Sequence, residues 1–275
     1  MHVLITGATG GIGQGICASL CQDLAGAPSN LHLTVASSQA GERLDHLVQQ
    51  IRAWGASAQG VFGDVTDPPT CHRLVQEALQ HHGDIDAVVC VAGASGPGKL
   101  ETLPVEQWDL TFQLNVRAVW LIAQAAFASL QKTRGSITAI ASMSGLHPHP
   151  GYGAYSAAKA ALIMLCRQLA QEWGSLGIRC NTVCPGMIRT PLTEAVYQDE
   201  ATKQQRESLV PLQRIGRADD IGDAVKYLIS QHASYVNGMN LVVDGGVSDH
   251  MLSMIPGRPG KPPVQHGGAW PQTNR

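Results

Sequence analysis

The chain has 275 residues, 44% of them hydrophobic, which suits one α/β domain with a substantial core and is short for two. Its 19 lysines and arginines against 21 aspartates and glutamates leave a net charge of −2, so it carries no electrostatic footprint for nucleic acid or an anionic membrane. Apolar runs such as 87–92 stop far short of the ~20 residues that span a bilayer, and the expected protein is soluble and cytoplasmic with a small-molecule partner.

The first expected strand, 2–6, flows into Thr6-Gly7-Ala8-Thr9-Gly10-Gly11-Ile12-Gly13 and a helical pattern over 12–24. Glycines at 7, 11 and 13 let the backbone turn tightly and approach a pyrophosphate, whose charge meets free N–H groups at the helix N-terminus. A flexible loop would also be glycine-rich, but the preceding strand and the apolar stripe Ile12, Ile16, Leu20 give a nucleotide-binding context. Cys17 and Cys21 share a helix face, where core packing is the simpler reading than metal ligation by two residues. The seven cysteines are odd in number and lack zinc-ribbon spacing, so they are expected as reduced, buried thiols.

An extended stretch at 23–30 precedes the second strand, 31–36, which ends in Ala36-Ser37-Ser38. A helix over 42–54, a strand over 58–63 ending at Asp64-Val65, a helix over 68–82 and a strand over 85–91 follow. After Val91-Ala92-Gly93 comes a long helix, 104–131, in which Asn115 is a poor helix former flanked by Leu114, Val116 and Val119, which suggests burial with a partner. The strand 136–141 delivers Ser142 at its carboxyl end, and a helix over 153–175 carries Tyr155-Ser156-Ala157-Ala158-Lys159. Positions i and i+4 share a helix face, so the Tyr155 phenol and Lys159 ammonium point the same way. A free tyrosine has a pKa of about 10 and needs a cation that favours phenolate to become a useful acid/base. Taken alone, Tyr-x-x-x-Lys reads first as an ordinary surface pair and needs independent support.

The strand 178–184 leads to Pro185-Gly186-Met187-Ile188-Arg189-Thr190, then to a polar helical stretch of mixed charge, 192–211, expected as a mobile lid. A helix over 218–230, a strand over 239–243 and Asp244-Gly245-Gly246 complete the pattern. The alternation predicts an α/β, Rossmann-type doubly wound, mostly seven-stranded parallel sheet with helices on both faces and ligands at the strand carboxyl ends. Residues 1–250 are expected as one dinucleotide-binding catalytic domain, and the Pro/Gly-rich 251–275 as a tail without regular structure. Trp270 is the one hint that this tail could instead drape over a neighbouring subunit.

In this order, the glycine turn, Asp64-Val65, Ala92-Gly93, Asn115, Ser142, Tyr155/Lys159, Pro185-Gly186 and Asp244-Gly245-Gly246 resemble the short-chain dehydrogenase/reductase family, in its single-domain branch, over nearly the whole chain. The resemblance implies an NAD(P)-dependent enzyme that moves hydride between nicotinamide and a small or medium ketone or secondary alcohol. It implies Tyr155 as general acid/base, Lys159 lowering the phenol pKa and bonding the nicotinamide ribose, and Ser142 holding the substrate oxygen, with Ser144 a nearby competitor. Asn115 would anchor a water that relays protons to the lysine. Gly7, Thr9, Gly11, Ile12 and Gly13 would line the pyrophosphate, Asp64 and Val65 the adenine, and Ala92, Gly93, Tyr155, Lys159, Pro185, Gly186, Ile188 and Thr190 the nicotinamide half. A homotetramer or homodimer is implied, with the Asn115 and Tyr155 helices as contact surface.

Two departures stand out. Val91 replaces the family's usual asparagine, removing an amide that stabilises the central strands. Ser37 and Ser38 stand where an acid would accept the ribose of NAD or an arginine would meet the phosphate of NADP. With no carboxylate to repel phosphate, and Arg43 nearby, NADP is favoured over NAD. Substrate contacts are expected from 94–101, 147–153 and 192–211, including His147, His149 and Tyr152, or these three are plain loop residues. The mechanism gives a metal no task. Two rivals are a 3-oxoacyl-(acyl-carrier-protein) reductase, which wants basic residues such as Lys132, Arg134 and Arg167 near the site mouth, and a catalytically silent nucleotide-binding regulator.

Overall fold

The computed structural model describes residues 1–22 and 30–250. The expected lengthened connection at 23–29 and the expected tail at 251–275 lie outside the described residues.

Among the described residues seven strands form one sheet: β1 (His2–Thr6), β2 (His32–Ser37), β3 (Ser57–Phe62), β4 (Ala87–Cys90), β5 (Ser136–Ile140), β6 (Arg179–Pro185) and β7 (Asn240–Val243). Every pairing is parallel, in the order β3-β2-β1-β4-β5-β6-β7. Parallel sheets covered on both faces need apolar side chains at successive positions. That is what β1 supplies: Leu4 packs on one face while Val3 and Ile5 pack on the other.

The helices are α1 (Gly11–Cys21), α2 (Glu42–Ala53), α3 (Pro68–His82), α4 (Val105–Phe112), α5 (Ala118–Thr133), α6 (Tyr155–Trp173), α7 (Glu194–Tyr197), α8 (Glu200–Leu209) and α9 (Ala218–Ile229). One core joins the sheet to α3, α5 and α6 through residues such as Leu74, Ile122 and Leu162. The other joins it to α1, α2 and α9 through Ile16, Leu47 and Val225. All seven cysteines are buried and unpaired, with Cys17 and Cys21 among the apolar residues beneath α1. Among the described residues no helix is long and apolar enough to cross a membrane.

The helix expected as one piece over 104–131 is divided. A π-helical turn, Gln113–Arg117, separates α4 from α5, and fully buried Asn115 sits within it. Such turns insert a residue into the helical register and occur frequently at functional sites.

Strand order reverses between β1 and β4, so the loops leaving these strands diverge and open a crevice at their carboxyl ends. The two loops meet at Gly7, which has φ of +64°, where an added Cβ would lie 2.6 Å from the Ala92 nitrogen. The Ala92 N–H reaches the Thr6 hydroxyl at 3.4 Å, a tie between the central strands that involves no side chain of Val91. A left-handed backbone costs a residue with a Cβ about 1–2 kcal/mol, and the overlap with Ala92 adds to it. Gly7→Ala should therefore lower the melting temperature by at least about 4 °C in calorimetry. An unchanged melting temperature would mean that this junction yields freely.

Candidate active site

A cleft of about 720 Å³ runs along the carboxyl ends of the strands. Its lining brings together every residue expected at a nucleotide: Gly7, Thr9, Gly11, Ile12 and Gly13; Ser37 and Ser38; Asp64 and Val65; Ala92 and Gly93; Tyr155 and Lys159; Pro185, Gly186, Ile188 and Thr190.

At the glycine turn, a Cβ on Gly13 would lie 2.5 Å from the Gly7 carbonyl oxygen, so the turn closes only on bare backbone. A Cβ on Gly11 would lie 2.7 Å from Thr190 Cβ, so the β6 exit loop crosses directly over the turn. No side chain caps the start of α1 at Gly10, and its first turn holds no acid. Those free N–H groups with the helix dipole suit an anion such as a pyrophosphate. Opposite Gly186, where a Cβ would lie 2.6 Å from Asp244 Cβ, the Asp244 carboxylate accepts from the N–H groups of Gly246 and Ser248 at 2.8 Å each. The Asp244-Gly245-Gly246 motif thus braces the β6 exit.

At the β2 end, the Thr9 and Ser37 hydroxyls are 3.1 Å apart. Asp64 accepts from both the N–H and the hydroxyl of Thr66 at 2.8 Å, so it builds a turn as well as lining the cleft. Arg43 is exposed on α2 and is not part of the cleft lining.

The chemistry-bearing groups gather at the other end. Ser142 leaves β5 and Tyr155 opens α6, and the Ser142 hydroxyl acts on the phenol, favouring its phenolate form. Lys159, one turn further and 4% exposed, donates from Nζ to the Ile140 carbonyl at 2.8 Å and lies 5.6 Å from the Tyr155 ring centroid. Burial pushes the Tyr155 phenol above its ordinary value, against the downward pull of Ser142. Burial also lowers Lys159 to about 8. The sequence suggested a phenol pKa lowered by the lysine; in this protein desolvation outweighs the other influences on the phenol, because both groups sit out of water.

Gly93 is where three functional parts converge. A Cβ there would lie 2.7 Å from Asn115 Oδ1 and 3.2 Å from Lys159 Nζ. Asn115 lies behind the cleft lining, with Nδ2 donating to the carbonyls of Ala94 at 3.0 Å and Thr111 at 2.9 Å. Among the described residues its buried Oδ1 has no partner, an arrangement that costs about 1–3 kcal/mol unless something polar answers it. The glycine cradle, the uncapped helix and this unanswered acceptor all fit a dinucleotide in the cleft.

The residues before Tyr155 divide. His149 and Tyr152 line the cleft; His147 does not. The 3-10 turn Met143–Gly145 carries the chain outward, with the His147 N–H donating to the Met143 carbonyl at 2.9 Å, and the imidazole is left exposed. His149 instead pairs through Nδ1 with Ser144 Oγ at 2.9 Å and stacks on Tyr152 with ring centroids 3.8 Å apart. Ser144 is therefore committed to His149, leaving Ser142 as the hydroxyl at Tyr155.

Within 192–211, sequence reasoning named a segment but not its residues. Leu192, Thr193, Val196, Tyr197 and Arg206 line the cleft. Thr193 holds the β6 exit loop, accepting from the Thr190 N–H at 2.9 Å and donating to the Ile188 carbonyl at 3.0 Å. Tyr197, the one aromatic of a polar stretch, was a readable signal and is 4% exposed. Arg206, one charge among many, gave none.

A family model described as enoyl-(acyl carrier protein) reductase matches residues 7–248. The chain is 33% identical over 251 residues to dehydrogenase/reductase SDR family member 4 of Oryctolagus cuniculus, covering 90% of this chain and 94% of that relative. It is 31% identical over 245 residues to a 3-oxoacyl-(acyl-carrier-protein) reductase of Thermotoga maritima, covering 89% of this chain and 96% of the relative. Among solved structures, a short-chain type dehydrogenase/reductase from Mycobacterium ulcerans superposes with a TM-score of 0.81 at 28% identity, covering 90% of this chain and 89% of that one.

Proposed function

The chain belongs to the short-chain dehydrogenase/reductase family, and we propose that it is an NAD(P)-dependent oxidoreductase acting on a small or medium ketone or secondary alcohol, with Tyr155 as general acid/base. The observation that carries this reading is the meeting of Ser142, Tyr155 and Lys159 at one end of a cleft whose other end is the glycine turn. A bound nicotinamide cofactor supplies or accepts the hydride. In reduction, the Tyr155 phenol gives its proton to the substrate carbonyl oxygen, and in oxidation it takes the hydroxyl proton. Its raised pKa keeps it protonated in the resting protein, the form that reduction requires. Ser142 holds the substrate oxygen and stabilises the charge that develops there. Lys159, at about 8, is largely charged at neutral pH; it stabilises a departing phenolate and positions the nicotinamide ribose. Asn115 keeps the Gly93-Ala94 backbone against Lys159 and offers Oδ1 to a relay water.

Gly7, Thr9, Gly11, Ile12 and Gly13 hold the pyrophosphate in this reading, Asp64 and Val65 the adenine, and Ala92, Gly93, Pro185, Gly186, Ile188 and Thr190 the nicotinamide half. NADP is favoured over NAD because β2 ends on the Ser37 and Ser38 hydroxyls rather than a carboxylate. Ser37→Asp should lower kcat/KM for NADPH about tenfold or more, through like-charge repulsion at the 2′-phosphate, and spare NADH. Initial rates with each cofactor check this, and an unchanged NADPH value would move the ribose elsewhere. Oxidation of NADPH and NADH across a panel of ketones tests the reaction itself, and no turnover with any of them would count against it.

Residues 1–250 act as one catalytic domain in this reading, in a cytoplasmic protein. The exposed Trp108, Trp120 and Met164 of α4, α5 and α6 suit burial in a homodimer or homotetramer.

The Thermotoga maritima relative favours a second reading, reduction of a carrier-bound 3-oxoacyl group. It is weakened by Lys132, which pairs with Asp84, and Arg134, which packs on Gly177, both near the amino ends of the strands and away from the cleft mouth. Comparing an acyl carrier protein with a free ketone separates the two. A silent nucleotide-binding role leaves the joined Ser142, Tyr155 and Lys159 without a task.

A further inference from the structure

Beyond Tyr155 the cleft continues along a row of rings. Tyr152 lies 6.5 Å from Tyr155 by ring centroids, His149 stacks on Tyr152 at 3.8 Å, and Arg206 of α8 faces the same space. Of the lysine, arginine, aspartate and glutamate side chains that line the cleft, Asp64 stands at the β3 exit and Lys159 is buried on the Ile140 carbonyl. Arg206 is the remaining one.

Arg206 is half-buried, with its guanidinium carbon 5.6 Å from the Tyr197 ring centroid. Such stacking holds the planar fork in one orientation and removes part of its water. Among the described residues no carboxylate pairs with it. Of the acids on this segment, Glu194 takes Arg189, Glu200 takes Lys203, Asp199 caps α8 through Thr202, and Glu207 acts on Arg189 without forming an ion pair with Arg206. The charge is felt at His149, whose imidazole burial holds below its ordinary value with Arg206 adding to the effect. In the tautomer in which His149 Nδ1 accepts from Ser144, Nε2 carries a hydrogen that can be donated. A stacked, partly desolvated cation without a counter-charge, beside a fixed ring donor, is a site for an anion.

We propose that Arg206 and His149 form a subsite for an anionic group of the substrate, so that the protein acts on ketones or secondary alcohols that carry a carboxylate, sulfonate or phosphate away from the reacting carbon. The proposal rests on the hydride-transfer reading of the same cleft and adds the substrate class to it. The anion anchors the far end of the substrate at α8, which carries Arg206.

Acetoacetate and its ethyl ester share a ketone and differ in charge, so their kcat/KM ratio reads the subsite. The parent should prefer the acid. Arg206→Gln should lower the acid-to-ester ratio by about 10- to 100-fold, chiefly through KM, and Arg206→Lys should recover part of it. Calorimetric titration of the NADP-saturated protein with butanoate, propanesulfonate and inorganic phosphate reads binding without turnover and separates the three headgroups. Saturable binding of at least one, lost in Arg206→Gln, supports the subsite even if neither ketone is reduced, in which case the oxidoreductase reading alone would be at fault. Binding of none, equal binding to Arg206→Gln, or an unchanged acid-to-ester ratio overturns the proposal and leaves hydride transfer to neutral ketones untouched.

Discussion

Tyr155→Phe should reduce the rate of ketone reduction by about 10²- to 10⁴-fold, the range for loss of a positioned general acid, with KM for the reduced cofactor within a few fold of the parent. The substitution keeps the ring, and with it the packing against Tyr152 and the Lys159 ammonium 5.6 Å from the centroid. What it removes is the one phenolic O–H on which Ser142 acts. Ser142 and Ser144 are far weaker acids, Lys159 is turned to the Ile140 carbonyl, and the other phenol, Tyr152, stands further along the cleft with its ring centroid 6.5 Å from that of Tyr155. The phenol's raised pKa adds a second readout. Alcohol oxidation needs the phenolate as base, so the parent's oxidation rate should climb with pH above neutrality, whereas the residual rate of the variant should stay flat. Reduction within a few fold of the parent would remove Tyr155 from the mechanism.

The fold was legible because its strands are buried on both faces and so read as apolar runs such as 2–6 and 87–90, punctuated by glycine turns at their carboxyl ends. The cleft residues that line up on those turns were legible for the same reason. Features decided by packing across elements were not. A π turn leaves no composition signature, so 104–131 read as one helix, and only the oddity of Asn115 hinted at the break. His147 and His149 are equivalent in sequence, and the turn at Met143–Gly145 with the Ser144 hydroxyl separates them. Arg43 is near Ser38 along the chain yet leaves the cleft on α2, while Arg206 is distant and enters it on α8. The pKa of Tyr155 belongs to the same class: charge can be counted in a sequence, whereas desolvation exists only once the fold has excluded water.

Lys159→Met should separate catalysis from stability in opposite directions. Burial lowers the lysine from 10.5 to about 8, so the folded protein disfavours its charged form. Between these values the unfolded chain holds a proton that the folded one has released, and stability rises as pH increases through that window. Below about 8 both states are protonated, and the buried charge costs folding roughly 3 kcal/mol at neutral pH. Methionine fills a similar volume without the charge. It forfeits the bond to the Ile140 carbonyl, worth about 1–3 kcal/mol for a charged donor. The variant's stability at pH 7 should therefore match or exceed the parent's, and its rise between pH 8 and 10.5 should flatten, as urea unfolding across that range would report. Ketone reduction should fall by at least about 10²-fold, since the phenolate loses its stabilising charge. A variant that lost stability and activity together would mark Lys159 as a structural strut between α6 and β5. Undiminished stability with lost activity would mean that the charge is kept at the expense of folding, for the sake of the proton that Tyr155 transfers.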